Sequence, residues 1–176
     1  DIFIITVPTP FLKNENNEIP KPDLKFVMDT ARSIAKVIKK GDLVLLESTS
    51  PVGTTEKVFK VINEITNLHL GEIFIAYCPE RVIPGDILNE MIYNDRVVGG
   101  LNKESTEKGK SFYETFCKGK VRTTTSKTAE LVKLAENAYR DVNIAYANEI
   151  SLICNDQNIN VYEMIKLANN HPRVNI

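Results

Sequence analysis

The sequence predicts an α/β fold: a parallel sheet, then one long central helix and an all-α segment. Three observations lead there. Apolar β-rich runs alternate with amphipathic helical stretches as far as Thr125. Those runs are apolar throughout instead of alternating, as strands covered on both faces are. After Thr125 the pattern becomes a single helical period with neither Gly nor Pro.

In chain order, "DIFIITV" reads as the first strand and "PTPFLKNENNEIPKPD" as a polar loop rich in Pro and Asn. A helix is expected over Asp23 to Lys39, because Leu24, Val27, Met28, Ala31, Ile34, Ala35 and Ile38 keep to one face. Gly41 suits its C-terminal end. "DLVLLEST" is a second buried strand. "SPVGTTEKVFKVINEIT" is a turn and a helix with Val58, Val61, Ile62 and Ile65 as its stripe. "EIFIAYCPE" is a third strand. "DRVVGG" and "KVRTTT" are shorter strands on either side of the helix "KESTEKGKSFYETFC". From Thr128 to Asn155 runs the long helix, with Ser126 as its expected cap. A second helix, "NINVYEMIKLANN", has Asn160 as cap and Glu163 at the third position, and Pro172 ends it. The expected domains are 1–125, built on the sheet, and 126–176, all helical.

Composition removes several function classes. The chain has 176 residues and a net charge of −1, with acids and bases interspersed. That argues against a general electrostatic binder of nucleic acid and against a polybasic membrane-surface protein. No apolar run approaches the length of a bilayer span. The opening strand-like segment does not read as a signal peptide, so a cytoplasmic location is expected. The three cysteines, Cys78, Cys117 and Cys154, are far apart and only His69 and His171 could join them, so no metal site is expected. Reduced thiols are the default.

Ligands of parallel sheets bind beyond the carboxyl ends of the strands. Three such ends matter here, "VPTP", "ESTSPVG" and "YCPERVIPG", each with Pro beside hydroxyls or charges. Glu80 follows Pro79 there. It reads either as a loop carboxylate paired with Arg81 or as a general base orienting water or a cofactor hydroxyl. Ser48 and Thr49 either cap the helix beginning near Gly53 or hydrogen-bond the same ligand. On the long helix, Glu130, Lys133, Asn137, Arg140 and Asp141 fall on one face, opposite Leu131, Leu134, Ala135, Ala138, Val142 and Ala145. The polar face is either solvated or catalytic, with Lys133 and Asn137 meeting a developing oxyanion. Tyr139, Ile144 and Tyr146 flank it and leave little circumference for water. Cys78 sits in an apolar strand with no His near and reads as a buried, inert thiol. His171 and Arg173 flank Pro172 after the last helix, where Arg173 suits a phosphate or carboxylate.

A dinucleotide-binding fold normally opens with G-x-G-x-x-G after its first strand. No glycine precedes Gly41, so the chain is either not such a fold or the rear part of one. The motifs "VPTP", "ESTSPVGTT", "YCPERVIPG", "NDRVVGG", "TAELVKLAENAYRDVNIAYANE" and "NNHPRVNI" together resemble the UDP-glucose/GDP-mannose 6-dehydrogenase family, in that family's order and across essentially the whole chain. "CPERVIPG" and "HPRVNI" look most like its UDP-N-acetyl-D-mannosamine dehydrogenase branch.

The resemblance implies the rear part of a Rossmann-like NAD domain, then the start of a central helical domain. It implies four-electron oxidation of a nucleotide sugar to a uronate, with NAD used twice and a cysteine forming a thiohemiacetal and then a thioester. By that resemblance Glu80 assists thioester hydrolysis beside the cofactor, Thr49 positions a water, and Lys133 and Asn137 stabilise oxyanions. Ser48 and Thr9 touch the cofactor, while Arg81, Arg140, His171 and Arg173 bind the UDP-sugar. Pro84 and Gly85 shape the loop after Glu80. The long helix, 128–154, forms a homodimer. The glycine-rich half and the family's nucleophilic cysteine are both expected outside these residues, which leaves the piece inactive alone. UDP-glucose or another UDP-hexosamine is an alternative substrate, and a non-catalytic helical dimerisation module is an alternative function.

Overall fold

The structure, a computed structural model, describes residues 1–12, 19–82 and 85–176. The middle of the loop after the first strand, and Pro84 with its expected shaping role, lie outside the described residues. The chain forms two compact units, Asp1–Leu134 and Ala135–Ile176.

In the first unit, β1 (Ile2–Ile5), β2 (Leu43–Leu46), β3 (Phe74–Tyr77), β4 (Arg96–Gly100) and β5 (Val121–Thr125) form one sheet in that spatial order. β1, β2 and β3 are parallel, with Ile5, Leu46 and Tyr77 in register, so their carboxyl ends form one rim. The sheet is mostly parallel, as expected, with one exception: β4 is antiparallel to β3, and β5 then runs parallel to β4. A parallel return needs a helical crossover packed on the sheet. Among the described residues between β3 and β4 the one helix or strand is α3 (Ile87–Tyr93), which buries none of its residues and covers no face.

α1 (Lys25–Ala35) and α2 (Thr54–Thr66) cover one face through Val27, Ala31, Val58 and Ile62, against Val44, Leu46, Ile75 and Tyr77. α1 stops before the expected Lys39, and the chain turns while keeping Ile38 buried. On the other face, α4 (Lys103–Glu114) packs Tyr113 over Leu45, Ala76 and Val98. Gly109 permits that approach, because a Cβ there would lie 2.9 Å from Val98 and 3.3 Å from Ala76. β1 is not covered on both faces as the apolar run suggested. Phe3 and Ile5 meet the α1 side, whereas Ile2 and Ile4 are 46% and 44% exposed, since α4 reaches β2 and β3 but not β1 among the described contacts.

α5 (Ser126–Asp156) gives its first turns to this unit, where Ala129 and Glu130 are fully buried. Its cap is Thr125, not Ser126: the Thr125 Oγ1 accepts from the Thr128 N–H at 3.3 Å. The expected division of faces also fails on this helix. Glu130, assigned to the polar side, is buried, while Leu131 and Val142, assigned to the packed side, are 57% and 67% exposed.

The second unit holds the rest of α5 and α6 (Val161–Ala168). Asn158, at φ +54, turns the chain between them, and the Asn160 side chain caps α6 by accepting from the N–H groups of Tyr162 and Glu163. The helix ends at Ala168, ahead of Pro172. No described helix is long and apolar enough to cross a membrane.

Candidate active site

The shared carboxyl rim of β1–β3 places three chain exits side by side. They surround a cavity of about 270 Å³ with Thr6 and Val7 after β1, Glu47, Ser48 and Thr49 after β2, Glu80 beyond β3, and Lys133 from α5. This is where a parallel sheet takes its ligands.

Most of the wall is fixed by backbone contacts. Ser48, 8% exposed, donates its one hydroxyl proton to the Val7 carbonyl at 2.6 Å and more weakly to Ile5 at 3.3 Å. Its lone pairs remain for a ligand. Thr9 donates to the Thr49 carbonyl at 2.6 Å. It lines a neighbouring, largely apolar cavity of about 250 Å³ with Phe11, Pro51 and Leu134, to which Thr49 also belongs. The Thr49 hydroxyl has no hydrogen-bond partner among the described residues.

Lys133 and Glu80 meet. The Lys133 ammonium donates to the Glu80 carbonyl at 2.6 Å. That uses one of three N–H donors. The Glu80 carboxylate accepts from the Val82 N–H, a local turn that holds the side chain half-buried at the cavity edge. Arg81 instead donates to the Asp95 carbonyl at 3.0 Å. Its crevice, beside Arg96, measures about 10 Å³, room for one water and no sugar. Gly85 has φ +113, which suits glycine at the turn expected there.

Two carboxylates have partners that their sequence positions did not reveal, Glu130 on the polar face of the long helix and Glu47 at a strand end. Glu130 accepts from the Gly53 N–H at 2.6 Å, the Thr55 N–H at 2.8 Å and the Thr55 hydroxyl at 2.7 Å. It therefore caps the N-terminus of α2 and pins the first turns of α5, one turn before Lys133. Its position among other polar residues gave no sign of burial. Glu47 accepts from the Tyr113 phenol at 2.6 Å, and Tyr113 is 1% exposed. Burial first, then the charges of Cys78 and Glu47, push that phenol far above its ordinary range, so it stays a donor. The only signal for Glu47 was its place at a strand end.

Behind Tyr113, the buried Arg96 guanidinium lies 4.9 Å from the ring centroid and 4.0 Å from the Cys78 sulfur. Burial pushes the Cys78 thiol up to about 11, which agrees with its reading as inert. Cys117 and Cys154 are buried too.

Asn137, half-buried, and Arg140, exposed, lie on α5 in the second unit. His171 and Arg173 are exposed there, the Arg173 N–H donating to His171 Nδ1 at 3.3 Å. Within the first unit, the polar set of Glu47, Ser48, Thr49, Glu80 and Lys133 suits the amide and hydroxyl groups of a nicotinamide riboside or a sugar. It does not suit a diphosphate. The N-termini of α1 and α2 already hold carboxylates, with Asp23 accepting from the Lys25 N–H at 2.8 Å and Glu130 capping α2.

Comparisons with known proteins identify the family of the chain. Residues 1–117 match the NAD binding domain of the UDP-glucose/GDP-mannose dehydrogenase family, and residues 127–176 match its central domain. The chain is 50% identical to the UDP-N-acetyl-D-mannosamine dehydrogenase of Methanococcus maripaludis, over all of this chain and 39% of that protein. It is 52% identical to the Yersinia pestis protein of the same name, over all of this chain and 43% of that one. The solved UDP-D-ManNAc dehydrogenase of Pyrococcus horikoshii superposes with a TM-score of 0.92 at 44% identity, over 99% of this chain and 41% of that one. The chain thus spans about 40% of the length of these relatives.

Proposed function

Because the chain belongs to the UDP-glucose/GDP-mannose dehydrogenase family, we propose that it carries part of the active site of an NAD-dependent nucleotide-sugar 6-dehydrogenase. The substrate we assign is UDP-N-acetyl-D-mannosamine, oxidised at C6 to the uronate. The observation that carries this reading is the 2.6 Å contact of Lys133 with the Glu80 carbonyl, at the rim where β1–β3 end. It sets an ammonium with spare donors beside a half-buried carboxylate in a polar cavity.

NAD, when bound, would supply the hydride acceptor for the two oxidations at C6. Lys133 holds the C6 oxygen as negative charge develops on it, and Asn137 shares that role. The Glu80 carboxylate, steadied by Val82, accepts the proton of a water attacking the acyl carbon, and Thr49 orients that water through its unengaged hydroxyl. Ser48 and Thr9 stand on the cofactor side. Arg140, His171 and Arg173 are assigned to the sugar nucleotide; Arg81, expected there from the sequence, is instead engaged with the Asp95 carbonyl in a crevice too small for a sugar. The acyl carrier is a thiol in this reading. The three thiols here are buried, so the attacking cysteine is assigned to a residue outside these 176, and the 176 residues alone are expected to turn over nothing.

The test is NADH formation by the protein as its gene encodes it, with UDP-N-acetylmannosamine, UDP-glucose and UDP-N-acetylgalactosamine offered in turn. UDP-N-acetylmannosamine is expected to give the highest kcat/KM. Lys133→Met is expected to lower kcat by ~100-fold or more, as loss of an oxyanion donor does. Absence of NADH with every sugar nucleotide would remove the reading.

A second role is favoured by exposed apolar side chains on the second unit. Tyr139 is 74%, Val142 67%, Leu152 61% and Tyr162 83% exposed. Patches of that kind mark protein interfaces. We assign them to a homodimer through helix 128–154 in a cytoplasmic enzyme. A helical dimerisation module without catalysis is the reading that remains if turnover is absent while sedimentation shows a dimer.

A further inference from the structure

We propose that Glu47 is the group by which this cavity favours the oxidised, positively charged nicotinamide ring over the reduced, neutral one, and that Tyr113 is its positioning residue. The proposal rests on NAD as the cofactor.

Charge balance carries it. The cavity wall holds two carboxylates, Glu47 and Glu80, and one ammonium, Lys133. Lys133, from α5, donates to the Glu80 carbonyl, and the Glu80 carboxylate accepts from the Val82 N–H, so the cavity keeps one negative charge in excess. Glu47 makes no ion pair among the described residues. One of its oxygens accepts from Tyr113 at 2.6 Å; the other has no described partner. A half-buried carboxylate without a cation is costly. A pyridinium ring in the cavity supplies that cation, and hydride acceptance at the ring takes its charge from plus one to zero. The attraction of Glu47 is therefore lost on reduction, and the spent cofactor leaves more readily than the fresh one.

The support behind Glu47 fixes where its charge sits. Tyr113 is 1% exposed and packs among Leu45, Ala76, Cys78 and Val98, so its hydroxyl has one place to be. The Arg96 guanidinium stacks on the same ring, at 4.9 Å from its centroid, near enough for its charge and that of Glu47 to act on each other. The carboxylate is thus tethered by a neutral donor, without a salt bridge to a cation among the described residues.

The test measures dissociation constants for NAD and for NADH by titration calorimetry, on the protein as its gene encodes it, in the parent, E47Q and Y113F forms. E47Q keeps shape and an acceptor for Tyr113 but removes the charge. It is expected to weaken NAD about tenfold and to leave NADH within about twofold, the scale of one partly screened charge pair. Y113F is expected to shift the ratio in the same direction by less, and to add little on top of E47Q. An unchanged NAD-to-NADH ratio in E47Q, or an equal loss of both affinities, overturns the proposal while leaving the cofactor assignment standing. A parent protein that binds neither form overturns both.

Discussion

Glu130→Ala removes an acceptor that three donors share: the Gly53 N–H, the Thr55 N–H and the Thr55 hydroxyl, at 2.6–2.8 Å. Each is a hydrogen bond to a charged group, worth ~1.5–3 kcal/mol, and the truncation leaves buried donors unmet. A carboxylate at a helix N-terminus adds up to about 1 kcal/mol more. Against this stands the desolvation of the carboxylate, several kcal/mol, which the variant no longer bears. The net expected loss is about 3–5 kcal/mol, near the usual cost of breaking a buried charged network. For a chain of this size that lowers Tm by roughly 10 °C. Glu130→Gln separates the causes. Its oxygen can still serve Thr55, but its NH2 faces the Gly53 N–H, so about half the loss is expected. The assay is urea unfolding followed by circular dichroism, paired with amide exchange at Gly53 and Thr55, which should speed up in both variants. A loss below about 1 kcal/mol in the Ala variant, with exchange unchanged, would refute the claim that this carboxylate pins α5 to α2.

Cys78, with its thiol at about 11, is expected to be about one part in a thousand thiolate at pH 8, and to react with maleimide only as fast as the protein opens. A rapid native-state reaction, mapped by mass spectrometry, would contradict this. Gly109→Ala puts a methyl 2.9 Å from Val98, and the gain in helix propensity offsets the overpacking only in part. A net loss of about 1–2 kcal/mol in chemical denaturation is expected, and a stabilised variant would show that α4 has room to move. The Lys120 N–H, and then Arg122, hold the Asp95 carboxyl below its ordinary value. A depressed value in the folded state means the contribution is complete above the unfolded value, near 4, and is lost as pH falls through the folded one. Asp95→Asn should therefore narrow the Tm difference between pH 7 and pH 3; an unaltered difference would show that the contact does not couple to folding.

The sequence was most legible where burial repeats along the chain. Within "DLVLLEST" and "EIFIAYCPE" the four residues of each strand, LVLL and FIAY, are apolar at every position because β2 and β3 are covered on both faces, and both strands are fully buried. Asn160 was legible as a cap because its bond to Glu163 is local. The direction of β4 was not, since pairing sense depends on whether the connecting segment packs on the sheet, and α3 does not. The faces of α5 were misassigned because helical period shows which residues share a side, not which side another element covers.

What the sequence determined alone is the order of the elements, the motifs at the three strand ends, and the resemblance those motifs carry. Each is a matter of neighbours in the chain or of fixed spacing. Tertiary structure alone decided that Lys133 reaches Glu80, that Glu130 is spent on α2, and that Tyr113 sets Glu47 at the cavity. Those contacts join residues 53, 75 and 66 positions apart, and no local rule of spacing or propensity reaches across such distances. They follow from strand register and from how closely α4 and α5 approach the sheet.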